Sequence, residues 1–264
     1  MAVYEITFSP TGGTDKVTEL LTEAMDGEKR RISLLPEKED YSRHVFKSGD
    51  ICFIAVPSFG GRVPQEAAKR LGMMKGNQAR AVLVCVYGNR AYEDTLIELK
   101  DVADKAGFVP AAAVAAIAEH SIMRKFAAGR PDKTDQKELR EFGKRVREYL
   151  EHQEKTGELS VPGNHPYKEL GTIPFIPKPG KACNSCGRCA ALCPVGAIDL
   201  NNVKKVDEEK CISCMRCIAV CPKHARSLNK VVLFAAEKKM AKLFETIKEN
   251  ELCLGEAEGR TAEI

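Results

Sequence analysis

The sequence predicts an α/β protein in two unequal parts: a doubly wound, parallel five-stranded sheet, then a small α+β unit built around cysteines. Three observations predict it. Short apolar runs alternate with amphipathic stretches over residues 1–155. Prolines and glycines crowd residues 156–180, from Pro162 to Gly180, and break any regular element there. Eight of the eleven cysteines lie between Cys183 and Cys221.

The elements of the first part follow in order. Val3 to Phe8 reads as a short strand, Thr14 to Met25 as a helix, and Arg31 to Leu34 as a second, less apolar strand. Leu35 to Gly49 carries little helical pattern. Ile51 to Val56 (ICFIAV) and Ala79 to Val86 (ARAVLVCV) are nearly all apolar, as strands covered on both faces must be. Between them, Pro64 suits the first turn of a helix ending near Met73. A helix from Glu93 to Ala106 is closed by Gly107, Val109 to Ile117 forms a fifth strand, and a charged amphipathic helix runs from Thr134 to Lys155. Residues 156–180 read as an extended, semi-rigid linker whose Ile173, Phe175 and Ile176 pack on one of the domains. Residues 181–229 form the cysteine unit. Residues 230–264 are expected to dock as a helix through Leu233, Ala236, Met240, Leu243, Phe244 and Ile247, with a frayed last dozen residues.

Composition excludes several classes. Hydrophobic residues make up 44% and charged residues 30%, the balance of a soluble globular chain. No apolar run reaches bilayer length. The start, Met1 to Glu5, lacks the basic region and apolar core of a secretory signal, so a cytoplasmic protein is expected. A formal net charge of +4 without basic runs and interleaved aromatics gives no footprint for nucleic acid. Bound cofactors would reverse that charge, at about −2 for each four-iron cluster with its thiolates and about −2 for a flavin phosphate. Clustered cysteines in a chain with no export signal point to metal rather than disulfides.

The cysteines form a repeat. Cys183-Asn-Ser-Cys186-Gly-Arg-Cys189-Ala-Ala-Leu-Cys193-Pro194 is matched by Cys211-Ile-Ser-Cys214-Met-Arg-Cys217-Ile-Ala-Val-Cys221-Pro222. Both spell C-x₂-C-x₂-C-x₃-C-P. Soft anionic sulfur suits iron, and the x₂ spacings let one loop supply three ligands. Paired structural zinc sites are the alternative, but they use two CxxC knuckles per ion, not a doubled run closed by Cys-Pro. The stretch resembles the bacterial two-cluster ferredoxins. That resemblance implies two [4Fe–4S] clusters of low potential, with the fourth cysteine of each run serving the other cluster. One set is then Cys183, Cys186, Cys189 and Cys221, and the other Cys211, Cys214, Cys217 and Cys193. Cys52, Cys85 and Cys253 lack basic neighbours and read as small packing residues.

The first part carries a second candidate site. Ser9-Pro10-Thr11-Gly12-Gly13-Thr14 comes after the first strand and opens a helix, where N–H groups, hydroxyls and the helix dipole favour a phosphate. An ordinary glycine-rich turn would look similar. Two further loops, Ser58-Phe59-Gly60-Gly61 and Tyr87-Gly88-Asn89 with Tyr92, come after strands three and four, at the sheet end where ligands of such folds bind. Together the three loops resemble the flavodoxins. This implies the strand order 2-1-3-4-5, an FMN phosphate held by Ser9, Thr11, Gly12, Gly13 and Thr14, and an isoalloxazine ring between the other two loops. The whole chain resembles the flavodoxin–ferredoxin fusion proteins of anaerobic bacteria and archaea. His120, after strand five, could hand a proton to a reduced flavin or could be bonded to loop backbone, the reading we favour. Arg62, Arg90 and His120 could line an open flavin face, and Arg124, Lys125 and Arg130 could face an anionic substrate or partner or form solvated surface.

The function expected is transfer of electrons between the clusters and FMN, with a protein redox partner or a small acceptor outside. Two alternatives stand beside it: a flavoenzyme that reduces a small acceptor such as a quinone or free flavin, and a redox sensor or docking protein without turnover. No dinucleotide fingerprint accompanies the sites.

Overall fold

A computed structural model of the chain describes residues 1–152, 157–171 and 175–255. The parallel strands are β1 (Ala2–Thr7), β2 (Glu28–Ser33), β3 (Ile51–Pro57), β4 (Arg80–Tyr87) and β5 (Val109–Ile117). They are joined through helices α1 (Gly13–Thr22), α2 (Gln65–Leu71) and α3 (Thr95–Lys105), and α4 (Lys133–His152) comes after β5. The sheet runs β2-β1-β3-β4-β5, the expected flavodoxin-like order. The continuous apolar runs of β3, β4 and β5 are explained by two cores, one on each face. Cys52, Ile54, Val56, Leu83 and Cys85 point to one, beneath Ala67 and Leu71 of α2 and Leu96, Leu99 and Ala103 of α3. Ile51, Phe53, Ala55, Val82 and Val84 point to the other, beneath Val17, Leu20 and Leu21 of α1 and Leu139, Phe142 and Val146 of α4. The period of two thus splits each strand evenly between the layers. Gly143 lets α4 lie directly on α1, since a Cβ there would stand 2.3 Å from the Leu21 carbonyl oxygen. The weakly patterned segment before β3 holds one 3₁₀ turn, Tyr41–Arg43.

Two stretches return to this sheet. Residues 164–168 of the linker bind the start of α3. The N–H groups of Asn164 and Lys168 donate to the Asp94 carboxylate at 2.9 and 2.6 Å, and His165 and Tyr167 reach Asp101. Ile173 lies outside the described residues. The C-terminal segment adds a sixth strand, β8 (Glu251–Leu254), antiparallel to β5 with Ala112 opposite Leu254 and Ala115 opposite Glu251. The expectation of a frayed end from residue 253 is corrected by this pairing. Four residues show no period of their own, and the partner that organises them, the free edge of β5, is about 140 residues away in sequence. Residues 256–264 lie outside the described part.

The cysteine unit begins at β6 (Lys178–Pro179), which pairs antiparallel with β7 (Arg226–Ser227), and each cysteine run contains a one-turn helix, α5 (Arg188–Ala191) or α6 (Arg216–Ala219). Helix α7 (Lys230–Met240) comes next, its first turn capped by Asn229. Leu233, Ala236 and Met240 are half-buried and Phe244 is buried, but Leu243 and Ile247 stand exposed, contrary to the expected face. The helix stops at Met240, and a 3₁₀ turn, Ala241–Phe244, shifts the phase of the residues beyond it.

Candidate functional site

Each cysteine run is shaped by left-handed backbone at Ser185 and Gly187 in the first and Ser213 and Met215 in the second. Alternation of this kind turns successive N–H groups to one side and makes an anion-binding concavity. The fourth cysteines are treated alike: Cys193 Sγ accepts from the Ala197 N–H at 3.4 Å and Cys221 Sγ from the Ala225 N–H at 3.3 Å. Cys183, Cys193 and Cys217, from both runs, pack on one small core of Cys189, Ala190, Ile198 and Val203. Burial pushes the thiols of Cys214 and Cys217 up to about 12 and raises that of Cys211, and all three lie close enough to Cys193 to feel its charge. The last cysteine of the first run is thus a near neighbour of the first three of the second, and Cys189 is near Cys217 as well. Such crowded thiols ionise only when a metal replaces the protons. Among the described residues no three His, Cys, Asp or Glu side chains converge closely enough for a single ion. A four-iron cluster, with a thiolate at each of four corners, asks for a wider spread.

The donor set fits an anionic cluster in a second respect. Arg226 is buried, and two of its nitrogens donate to the Pro177 and Val203 carbonyls. Its Nε has no partner among the described residues, and no carboxylate pairs with it. The charge nevertheless reaches Cys211, Cys217 and Cys221. A buried guanidinium without a counter-ion is costly, and an anionic cluster held by these cysteines would supply one. Sequence reasoning missed Arg226. The signal was a break in the repeat, where the residue five after each fourth cysteine is Ile198 in the first run and Arg226 in the second.

The phosphate loop takes its expected place at the start of α1. Gly12 has φ +92°, and a Cβ on it would meet nothing within 4 Å. Thr11 and Gly12 are exposed and the N–H groups of Gly13 and Thr14 find no acceptor among the described residues, as at any open helix start. Ser9 is buried and its Oγ accepts the Asp15 N–H at 3.0 Å, so it braces the turn from behind. Thr14 is likewise buried, and the Asp15 carboxylate is held by Thr7 Oγ1 at 2.7 Å. The cysteine unit meets this loop: Arg216, between Cys214 and Cys217, donates from Nη1 to the Pro10 carbonyl at 3.2 Å, while its buried Nε lacks a partner among the described residues. A second arginine ties the units beside another cysteine, with Arg70 of α2 donating to Leu34 O at 2.7 Å and to Pro194 O at 2.5 Å. Helix-start N–H groups without an acceptor, beside a half-buried guanidinium whose Nε is unused among the described residues, fit a phosphate.

The two ring loops differ from each other. Phe59 lies edge-on to Phe8 at 6.4 Å and lines a cavity of about 720 Å³ with Val63, Leu170, Ile176, Cys211 and Ile212. Gly60 beside it faces open space, whereas Gly61 lies against Glu93. Ser58 Oγ is bonded to Thr95 Oγ1 at 2.8 Å. The second loop is not the open rim expected of it, because the C-terminal segment lies on it. Asn89, buried and left-handed at φ +65°, donates from Nδ2 to Phe244 O and Thr246 O at 3.2 and 3.1 Å and accepts the Lys248 N–H at 2.8 Å. Tyr87 OH reaches Glu249 O and Tyr92 OH donates to Glu251 at 2.7 Å. Gly88 lies against His120. The basic residues near this loop are also engaged: Arg62 with Glu98, Arg90 with Glu93, Arg124 with Glu119, Lys125 with Glu237 and Arg130 with Asp135. The acceptor-facing role considered for them has no observation in its favour. Cys52 and Cys85 are core residues, and Cys253 is half-buried in β8.

His120 takes the backbone-bonded role. Its Nδ1 accepts the N–H groups of Ile122 and Met123, each at 3.2 Å, and its ring lies edge-on to Phe244 at 5.6 Å. Burial, with Arg90 nearby, lowers its pKa to about 4. The folded form stays neutral where an unfolded histidine takes a proton, so stability falls as pH drops from about 6.5 toward 4, by about 1 kcal/mol per pH unit. Urea midpoints between pH 7 and 5.5 should fall less steeply for His120→Asn than for the parent chain. Equal slopes would mean that His120 does not carry this linkage.

Residues 182–225 match the 4Fe–4S dicluster domain. No curated protein matches the chain. Among solved structures, the chain is similar to a flavodoxin of Streptococcus pneumonia TIGR4, at 15% identity over 56% of this chain and 99% of that one with a TM-score of 0.41. It is similar also to a flavodoxin from the domain Archaea, at 12% over 58% and 100% with a TM-score of 0.42. A third is a Fusobacterium nucleatum flavodoxin bound to flavin mononucleotide, at 12% over 56% and 97% with a TM-score of 0.39. The strand order and two-layer cores of this chain themselves define its fold as flavodoxin-like. Among the described residues no helix is long and apolar enough to cross a membrane. With that α/β fold ahead of a 4Fe–4S dicluster domain, the chain has the make-up of a flavodoxin–ferredoxin fusion.

Proposed function

We propose that the chain passes single electrons between two [4Fe–4S] clusters and an FMN held on the flavodoxin-like sheet. The observation that carries this reading is the cavity shared by Phe59 of the first ring loop and Cys211 of the second cysteine run. Electron transfer falls off steeply with distance, and here one volume of ordinary ligand size touches both candidate sites. Flavin, when bound, can hold one or two electrons, whereas each cluster exchanges one.

The chain's own residues set the arrangement. Arg216 ties the second cysteine run to the phosphate loop, and Arg70 ties Pro194, at the end of the first run, to the sheet domain. Thr11, Gly12, Gly13 and Thr14 offer the phosphate donors. Ile212 and Phe59 both pack against the sheet's apolar core and line the shared cavity. The cluster ligands are Cys211, Cys214, Cys217 and Cys193 nearer the flavin, and Cys183, Cys186, Cys189 and Cys221 farther from it.

Anaerobic reconstitution with iron, sulfide and FMN should give about eight irons and one flavin per chain. Stepwise reduction followed by absorbance and EPR should then show electrons equilibrating between flavin and clusters. Full loading without any exchange would refute the relay.

A further inference from the structure

The two cysteine runs are near-identical in sequence but not in surroundings. Cys186 is exposed, whereas its counterpart Cys214 is buried, with 9% of its surface accessible. Ser185 is exposed and Ser213 is buried. Gly187 corresponds to Met215, which is 2% exposed, and Asn184 to Ile212, which packs on the sheet's core. Arg188 is exposed, whereas Arg216 reaches across to Pro10. The apolar substitutions in the second run seat it on the flavodoxin-like domain, and the polar ones leave residues 184–188 of the first run facing solvent, while its end at Pro194 is held by Arg70.

The chain segments on the exposed side are basic, and Glu208, which lines the cavity beside Gly180 and Val232, is paired with Lys178. Lys181 to Ile198 and Cys221 to Ala236 contain no Asp or Glu. Lys181, Arg188 and Lys223 each lie within two residues of Cys183, Cys186 or Cys221, and Lys230 opens α7. None of the four pairs with a carboxylate among the described residues, and Lys181, Arg188, Lys223 and Lys230 are all exposed. The Gly180 N–H donates to the Ala225 carbonyl at 2.7 Å, which brings the Lys181 end of the first loop beside the Lys223 turn. Apolar side chains border this face: Leu192 is 39% and Val231 77% exposed. A basic, partly apolar patch over an accessible redox centre is complementary to an acidic protein surface.

We infer that the first cysteine run is the external port of the chain, a docking surface for an acidic one-electron carrier protein. This rests on the relay reading and assigns its outer end. In the step, the reduced carrier loses one electron and the cluster of the first run gains it, or the reverse, with no bond made and no proton moved. The second run, walled in by the flavodoxin-like domain, exchanges with the flavin.

The test uses the full chain, reconstituted anaerobically, with a strongly acidic bacterial-type ferredoxin as probe. Binding followed by titration should weaken steeply with added salt. K181E/K223E/K230E, with iron content equal to the parent's, should lose tenfold or more in affinity and in the rate of cluster reduction by the probe. K230E alone, well outside the cysteine loops, should lose part of this. A control pair on α4, K144E/R145E, should bind as the parent does. Equal losses in the control pair, or no loss in the triple variant, would overturn the port. So would a parent that ignores the ferredoxin but binds anionic vesicles or self-associates through this face. Salt-sensitive docking lost in the triple variant, with no exchange between clusters and flavin in the parent, would sink the relay and leave the docking surface standing.

Discussion

Cys193→Ala should bind about four irons after reconstitution instead of about eight, and the four that remain should belong to the outer run. The expected loss is sharper than for a peripheral ligand because, on the proposed ligand set, Cys193 of the first run completes the site of Cys211, Cys214 and Cys217, which it neighbours. Without it the inner loop loses its fourth corner, and the buried Arg226 loses much of its counter-charge. Electron equilibration between clusters and flavin should drop by at least a hundredfold, since the surviving centre is the one facing solvent. Cys186→Ala is the informative partner. It should also halve the iron but leave flavin and inner cluster in exchange. If both variants lose exchange equally, the inner and outer assignments are wrong. If Cys193→Ala keeps full iron, the crossing ligand set is wrong.

Asn89→Ala should destabilise the chain by roughly 3 kcal/mol. Its side chain satisfies two carbonyls and one N–H of residues 244–248, and all three become unpaired at once. Alanine must also adopt a left-handed backbone that it disfavours by about 1 kcal/mol. Asn89→Gly removes the side chain without that strain, so it should recover roughly the backbone share and no more. Hydrogen exchange should show the loss concentrated in β8 and the segment before it. Denaturant midpoints for the two variants within a few tenths of a kcal/mol of the parent would show that the C-terminal segment is held by β8 pairing alone.

The sheet was legible because its code is local. Each strand of ICFIAV or ARAVLVCV type announces burial on both faces, and each helix between them carries its own period. The cysteine unit was legible for a different reason: metal ligation fixes residue type and spacing together. The features that sequence reasoning missed depend on distant partners. Asn89 and Tyr87 looked like ring-loop residues because loops after β4 serve ligands in such folds. Nothing in Tyr87-Gly88-Asn89 shows that residues 244–251 lie on it. Arg62 looked free and is bonded to Glu98 at 2.7 Å, a pairing that depends on how α3 packs. Leu243 and Ile247 were drawn into a helix face by extending a period past the point where the helix ends. Arg70 and Arg216 are ordinary in sequence and matter only because two units meet at Pro194 and Pro10.

The sixth strand makes the α/β domain discontinuous along the chain: its edge is built from residues translated after every cluster cysteine. During synthesis β5 therefore stands with an open edge while the cysteine loops leave the ribosome, and the sheet closes only when residues 251–254 arrive. An open parallel-sheet edge is a site for mispairing, and β8 is the element that covers this one. A gene fragment cut at residue 155 would encode every parallel strand yet lack the strand that covers their edge, and two halves expressed apart would be poorer than their boundaries promise.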